Sequence, residues 1–143
     1  MSANSRFTVA IHILSWMALV ARMGQAVVTS DKIAVSVNTN PVVIRRALGQ
    51  LRAGGLVEAR RGNGAGWSLT RPATAISLLD VYAAVERDGV FGLHSAEPNQ
   101  GCPIGRGIRP TLGRVYADVE DAMRRRLAVT TVEDVLNDTL TTD

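Results

Sequence analysis

The sequence of 143 residues predicts a mostly α-helical chain with one small β-hairpin. Three observations lead to this fold class. Apolar residues recur at helical spacing over most of the chain. A glycine-rich turn between two short apolar runs interrupts that period near the middle. Hydrophobic residues make up 46% of the chain, which is enough for a core in one domain of this length.

Two helices are predicted first. Apolar residues at helical spacing cover about 5–22, and Gly24 ends that helix. A shorter helix is expected over 31–37, with Thr29 or Ser30 as its N-cap, because a short polar side chain satisfies the free amides of a first turn.

The third helix is expected after a polar turn at residues 38–40. Asn40 followed by Pro41 is typical of an N-cap and a first helical position. The helix should run to about Ala53 and end at a pair of glycines. Its buried stripe is expected to be Ile44, Ala47, Leu48 and Leu51. Its opposite face then carries Val42, Arg45, Arg46 and Gly49.

After the third helix, the spacing of apolar residues changes to that of β-strands. Residues 56–60 and 67–69 are expected to pair as a hairpin around the turn 61–66, which holds three glycines. The order of elements over residues 5–72 is that of a winged helix-turn-helix: two helices, a turn, a third helix and a hairpin. In such a fold the third helix enters the major groove of DNA, and the hairpin lies along the backbone or in the minor groove.

The charge distribution predicts a polyanionic partner for the first half of the chain. Residues 1–72 hold nine basic and two acidic residues, a net charge of +7, whereas 73–143 hold seven arginines and eleven acids, a net charge of −4. Together with the order of elements, this asymmetry indicates double-stranded DNA. We therefore expect 1–72 to be the DNA-binding region, and 73–143 to be a helical linker, a sensor loop and a dimerisation helix.

A capping box and a long helix are predicted in the second half. Ser77 with Asp80 is expected to start a fourth helix, and a loop of about 87–101 follows. The long helix begins at Pro103 or at Pro110.

The apolar stripe of the long helix is more than one chain can cover, so a two-fold partner is expected there. The residues of this predicted dimerisation stripe are Leu112, Val115, Val119 and Met123. Thr130 with Glu133 should cap a last short helix.

Cys102 is the only cysteine, which excludes a disulfide framework within one chain. If the long helix begins at Pro103, the thiol stands at its N-cap. The helix N-terminus, Arg106 and Arg109 then favour a negatively charged, reactive sulfur. Such a sulfur reacts with oxidants and with electrophiles such as quinones, so Cys102 and Arg106 are the predicted redox-sensing residues. The alternative is a small apolar residue packed beneath the helix.

Three runs of sequence resemble the Rrf2 family of bacterial transcriptional regulators, over roughly 5–127. They are residues 51–57, 61–69 and 76–81. The resemblance implies a homodimeric winged-helix regulator, usually a repressor, whose long C-terminal helix crosses its counterpart. It also implies DNA contacts from the second and third helices and the wing, which here are Ser30, Asn38, Thr39, Asn40, Arg45, Arg46, Arg61 and Asn63.

The best-known members of that family hold an iron–sulfur cluster through three cysteines in a short loop. This chain has only Cys102 there, with His94 as the nearest other soft ligand, so no cofactor and no metal is expected. The sequence Cys-Pro-Ile-Gly-Arg at 102–106 resembles a branch of the family that has a lone cysteine and no cluster. A cluster shared across a dimer by two Cys102 and two His94 side chains is the alternative.

These observations predict a homodimeric repressor that binds a pseudo-palindromic operator and leaves it when Cys102 is modified. A non-covalent small-molecule effector is an open alternative for the signal. An enzyme with Cys102 as nucleophile and His94 as base is disfavoured, because no third group that would orient the base is evident. A winged-helix module for a protein partner is disfavoured by the arginines. No run of about 18 apolar residues is present, so a cytoplasmic protein without a membrane span is expected.

Overall fold

The structure is a computed structural model that describes residues 5–142, and it confirms the mostly helical fold class with one hairpin. The elements in chain order are α1 (Ser5–Arg22), α2 (Ser30–Val37), α3 (Pro41–Ala53), β1 (Val57–Arg60), β2 (Gly66–Leu69), a 3₁₀ turn (Ala73–Ala75), α4 (Leu78–Val85), α5 (Pro103–Ala128) and α6 (Val132–Thr141). Contacts divide the described chain into two compact units. The first comprises the residues up to Glu86 together with those from Leu127 onward, and the second is Arg87–Arg126.

The core of the first unit lies around α1, which packs against α2, α3, α4 and α6. The apolar stripe of α3 is buried as expected, with Ile44, Leu48 and Leu51 fully enclosed. Ile13 and Leu14 of α1 are likewise inaccessible to solvent. Because α3 is held by this stripe, its other face is turned outward.

Polar caps fix where the second and third helices begin. Thr29, rather than Ser30, is the N-cap of α2, and its hydroxyl accepts from the Lys32 amide at 3.3 Å. Asn40 caps α3 as expected, since its Oδ1 accepts from the Val42 amide at 2.8 Å. The first turn of each of these two helices is therefore held by a side-chain cap.

The hairpin is joined to the segment that precedes α2. Strands β1 and β2 are antiparallel, with Val57 opposite Leu69. Trp67 and Val28 exchange two backbone hydrogen bonds, of 3.0 and 2.7 Å. Gly66 allows this approach, because a Cβ there would lie 2.6 Å from the Val28 carbonyl oxygen. The wing is thus fixed by a third short stretch of backbone, and not by its turn alone.

The capping box of α4 is present as predicted. The Ser77 hydroxyl accepts from the Asp80 amide, and the Asp80 carboxylate accepts from the Ser77 amide. Partial burial acts to raise the pKa of Asp80, but hydrogen bonds from Ser77 and the ion pair with Arg71 outweigh it and hold the pKa below its usual value. The stabilisation from this carboxylate is therefore present above the pKa of the unfolded chain and is lost as the pH falls through the folded-state pKa.

The last helix begins one residue later than predicted. Its capping box is formed by Thr131 and Asp134, so the prediction of Thr130 with Glu133 was wrong. The physical reason is tertiary: the Thr130 carbonyl accepts from the Leu78 amide at 2.8 Å, in a bridge between the starts of α4 and α6. As an N-cap, Thr130 would use this carbonyl to accept the first hydrogen bond of the helix. Because Leu78 occupies it, the cap falls on the next threonine.

The second unit consists of a loop and most of α5. The helix begins at Pro103, which decides between the two predicted starts, and it continues through Pro110. None of the helices within residues 5–142 has the length and apolarity needed to span a membrane. Phe91 from the loop lies on Tyr116 with ring centroids 5.0 Å apart. The loop thus covers one side of the helix.

A tight turn ahead of α5 lies directly against the helix backbone. The Asn99 side chain accepts from the Gly101 amide at 2.9 Å, and the Asn99 carbonyl accepts from the Cys102 amide at 3.2 Å. A Cβ on Gly105 would lie only 2.0 Å from that same carbonyl oxygen. Glycine is therefore required at this position, whereas a Cβ on Gly107 would have no neighbour within 4 Å.

These two glycines make a matched pair of substitutions. Gly105→Ala should force the turn off the helix and lower the free energy of unfolding by about 1–3 kcal/mol, the usual range for overpacking. Gly107→Ala should leave stability unchanged or raise it, because alanine is the better helix former. Thermal unfolding at one protein concentration and exchange of the Cys102 amide proton measure both effects. Equal melting temperatures for the two variants would contradict the observed packing.

Candidate functional site

The outward face of α3 is exposed to solvent and carries two arginines. Val42, Arg45, Arg46 and Gly49 all lie on it and are exposed. Arg45 and Arg46 come three and four residues after Val42, and Gly49 comes four and three residues after them, so all four share one side of the helix. The face opposite the buried stripe is therefore composed as the sequence predicted.

Four guanidinium groups near this face and on the wing have no carboxylate partner among the described residues. They belong to Arg45 and Arg46 of α3, Arg60 at the end of β1, and Arg61 in the following turn. All four residues are exposed. Free guanidinium groups are available to an external anion, and they suit phosphates and guanine edges in particular.

Three other arginines of the first 72 residues are neutralised within the fold. Their ion pairs are Arg6 with Glu86 at 3.4 Å, Arg22 with Glu133, and Arg71 with Asp80 at 3.0 Å. Arg22 also donates to the Asn137 side chain at 2.7 Å. Each acid comes from beyond residue 72, so part of the charge asymmetry along the sequence cancels inside the molecule. The basic residues that remain are Lys32, Arg45, Arg46, Arg52, Arg60 and Arg61.

The polar residues between α2 and α3 already have structural tasks. Asn38 adopts a left-handed conformation (φ 57°) as the C-cap of α2, and its amide donates to the Ala34 carbonyl at 2.8 Å. Asn40 uses its side-chain oxygen to cap α3. Thr39 is half-buried, as is Ser30 at the start of α2. The left-handed conformation thus accounts for Asn38, and the side-chain cap accounts for Asn40.

Asn63 stands at the tip of the wing. Its neighbours Gly62 and Gly64 have positive φ angles of 80° and 73°, and the turn closes through a hydrogen bond from Ala65 to Gly62 at 3.0 Å. Residues 61–65 of the turn are exposed. The eight predicted DNA-contacting residues are therefore found on α2, its following turn, α3 and the wing, all within the first unit.

Cys102 lies immediately before α5 in the second unit. It is half-buried, and its carbonyl accepts the first helical hydrogen bond, from the Arg106 amide at 3.0 Å. The Arg106 guanidinium donates to the Gln100 carbonyl at 3.2 Å, so this side chain also helps to hold the turn. Sequence reasoning missed that role, because the contact depends on how the loop folds back.

The predicted dimerisation stripe is largely uncovered in the single chain. Val115 and Val119 are 50% and 45% exposed, whereas Leu112 and Met123 are half-buried. Only Gly105 is buried among the 26 residues of α5. Ile104 extends the stripe toward the start of the helix and is 70% exposed; its spacing of four from Ile108 could have revealed it.

Cysteine and histidine ligands for an iron–sulfur cluster are few in one chain. No group of three or more His, Cys, Asp or Glu side chains within residues 5–142 is arranged to hold a metal ion. One thiol per chain does not match the cysteine sets that bind such clusters. A cluster shared by Cys102 and His94 of two chains is still the alternative to the predicted absence of a cofactor.

The chain matches one family model and is similar in sequence to a named regulator over nearly its whole length. The model of the Rrf2 family, described as an iron-dependent transcriptional regulator, matches residues 3–138. YwnA of Bacillus subtilis (strain 168), which is named as an HTH-type transcriptional regulator, is 40% identical over 135 residues, covering 94% of this chain and 96% of YwnA. These relatives are named as regulators and not as enzymes.

Solved structures share the same fold. One that is named only as a DNA-binding protein has 37% sequence identity and a TM-score of 0.72, and the match covers 92% of this chain and 99% of that one. CymR of B. subtilis, named as the global cysteine regulator, has 26% identity and a TM-score of 0.60, over 95% and 96% of the two chains.

Proposed function

This chain belongs to the Rrf2 family of transcriptional regulators, and we propose that it is a homodimeric repressor controlled through Cys102. Its general activity as a DNA-binding regulator follows from the family. The operator, the dimer, the direction of regulation and the signal are the proposed parts. One observation assigns DNA binding to particular residues. The arginines of α3 and the wing are exposed and have no carboxylate partner among the described residues.

In the proposed complex, α3 enters the major groove with the end that begins at Pro41. Arg45 and Arg46 contact guanine edges or phosphates, and Arg61 and Asn63 of the wing meet the adjacent backbone or minor groove. The turn 38–40 and the amides that begin α2 at Ser30 contact phosphates. The contacts from Arg45, Arg46 and Arg61 are supported by their exposure and by the lack of carboxylate partners among the described residues.

Arginines that contact DNA should differ from arginines that are used inside the fold. Arg45→Ala or Arg46→Ala should weaken binding to a duplex selected by the protein from a random pool. For a lost phosphate contact, the slope of log affinity against log salt should fall by about 1. Arg22→Ala removes the same charge but breaks the pair with Glu133, so it should leave that slope unchanged.

Fluorescence anisotropy at several salt concentrations measures the slopes for all three variants. Equal slopes for Arg45→Ala, Arg46→Ala and Arg22→Ala would remove α3 from the interface. Failure of the wild-type protein to select any duplex would contradict the assignment of these residues to DNA altogether.

A dimer through α5 would place two copies of α3 on one operator. The exposed valines of α5 are apolar surface that a symmetry-related helix would cover. A two-fold protein matches a pseudo-palindromic site with half-sites one or more helical turns apart. A repressor of this kind acts by occupying a promoter, and the family resemblance supports that direction.

Charge on the exposed stripe should separate the two copies. Val115→Glu with Val119→Glu should give a monomer and severely weaken DNA binding, because buried like charges would face each other. Ala117→Glu, which lies half a turn around α5 and is also exposed, is the control and should remain dimeric. Sedimentation equilibrium distinguishes these outcomes. A stable dimer of the doubly substituted chain would rule out this helix as the interface.

Cys102 is the proposed sensor because it is the sole thiol and stands where the loop meets α5. A group attached to its sulfur would have to fit beside the tight turn at Asn99 and would disturb the start of the helix. In a dimer through α5, such a change would alter the spacing of the two DNA-reading heads. CymR, a relative in fold, is named as a cysteine regulator, which supports a link with sulfur chemistry.

Diamide or a quinone should therefore release the wild-type protein from its operator. Cys102→Ser should bind DNA normally and ignore both reagents, and a reducing agent should restore binding after diamide. Operator binding measured before and after treatment gives the result. A response that persists in Cys102→Ser would eliminate the thiol switch, and a wild-type protein that ignores both reagents would favour a non-covalent effector.

A further inference from the structure

An apolar side chain stands exposed on the arginine-bearing face of α3. Val42 is the second residue of the helix, and 51% of its surface is accessible to solvent. Arg45 and Arg46 lie one helical turn further along, one on each side of a line drawn from Val42 parallel to the helix axis. A β-branched residue is not a strong helix former, so the fold gains little from valine at this exposed position.

A glycine on the same face has no explanation within the fold. Gly49 lies in the middle of α3 without a positive φ angle, and an added Cβ would meet nothing within 4 Å. Glycine weakens a helix interior relative to alanine. Neither the backbone conformation nor a neighbouring group therefore requires it, but a surface that approaches the helix closely from outside would.

Major-groove chemistry identifies what an apolar group on this face could contact. Of the four bases, only thymine presents an apolar group there, the C5 methyl, whereas the other edges present hydrogen-bond donors and acceptors. Arginine pairs with guanine or phosphate. A valine between two arginines therefore suits a thymine that lies next to the bases or phosphates that those arginines contact.

We propose that Val42 contacts the C5 methyl of a thymine in each operator half-site, and that Gly49 lets α3 lie close enough to the groove floor for this contact. The inference rests on the proposed function, because it needs α3 in the major groove. It adds a base preference to a face whose charge alone would bind any DNA sequence.

The test replaces thymine by deoxyuridine, which lacks only the C5 methyl. A duplex is selected from a random pool with the wild-type protein, and each thymine of the selected site is then replaced in turn. At one position per half-site the replacement should weaken binding about fourfold, the value of one buried methyl group. Replacing both symmetry-related thymines should weaken it roughly fifteenfold, because the two losses multiply.

Val42→Ala should abolish this discrimination between thymine and deoxyuridine. The matched control is Val129→Ala, which removes the same atoms from a 74% exposed valine in the turn before α6 and should keep the discrimination. Gly49→Ala should raise the melting temperature and still weaken binding to the selected duplex.

The outcomes separate the inference from the proposed function. Selection of no duplex would overturn the proposed function, and the inference would fall with it. Selection of a duplex whose thymines can all be replaced without loss would overturn the inference alone. Discrimination that survives in Val42→Ala, or unchanged affinity in Gly49→Ala, would overturn the role of that residue.

Discussion

Burial of the apolar stripe of α3 is the interaction on which the rest of the candidate interface depends. Ile44, Leu48 and Leu51 are fully enclosed against the other helices of the first unit. Because the stripe occupies one side of the helix, the rotation of α3 about its own axis is fixed. The opposite side of the helix is thereby exposed to solvent, and it carries Val42, Arg45 and Arg46.

The ion pairs within the fold decide which of the basic residues are left to bind an anion. Net charge along the sequence suggested that the first 72 residues as a whole are basic. Three of their arginines are in fact neutralised by acids from later in the chain, including Glu86 and Glu133. These pairs join the helices that support the interface. The basic residues that remain unpaired with a carboxylate among the described residues lie on α2, α3 and the wing. The positive surface is therefore smaller than the sequence suggests.

Each of the two units contains a close backbone contact that only glycine allows. In the first, Gly66 brings the wing against Val28, and in the second, Gly105 brings the Asn99 turn against α5. Both contacts would be blocked by a single Cβ atom. The second contact gives a structural meaning to the run of residues 102–106, in which Cys102 precedes the helix and Arg106 binds the turn.

Local information was sufficient for most of the fold. Helical periodicity, the caps at Asn40 and Ser77, and the glycine-rich turn each act within a few residues, and the elements they predict are present. The outward face of α3 followed from the same periodicity. The start of α6 did not, because the backbone bridge between Leu78 and Thr130 overrides an equally good local capping signal.

The sequence by itself determined the order of elements and the residues on each helix face, since both depend on contacts between near neighbours. Only the tertiary structure decided that α5 begins at Pro103, which of the arginines are already paired, and that Gly105 is required while Gly49 is not. Such facts depend on atoms that are brought together from distant parts of the chain or from a folded loop. No local pattern encodes those distances, because they are set by how the whole core packs.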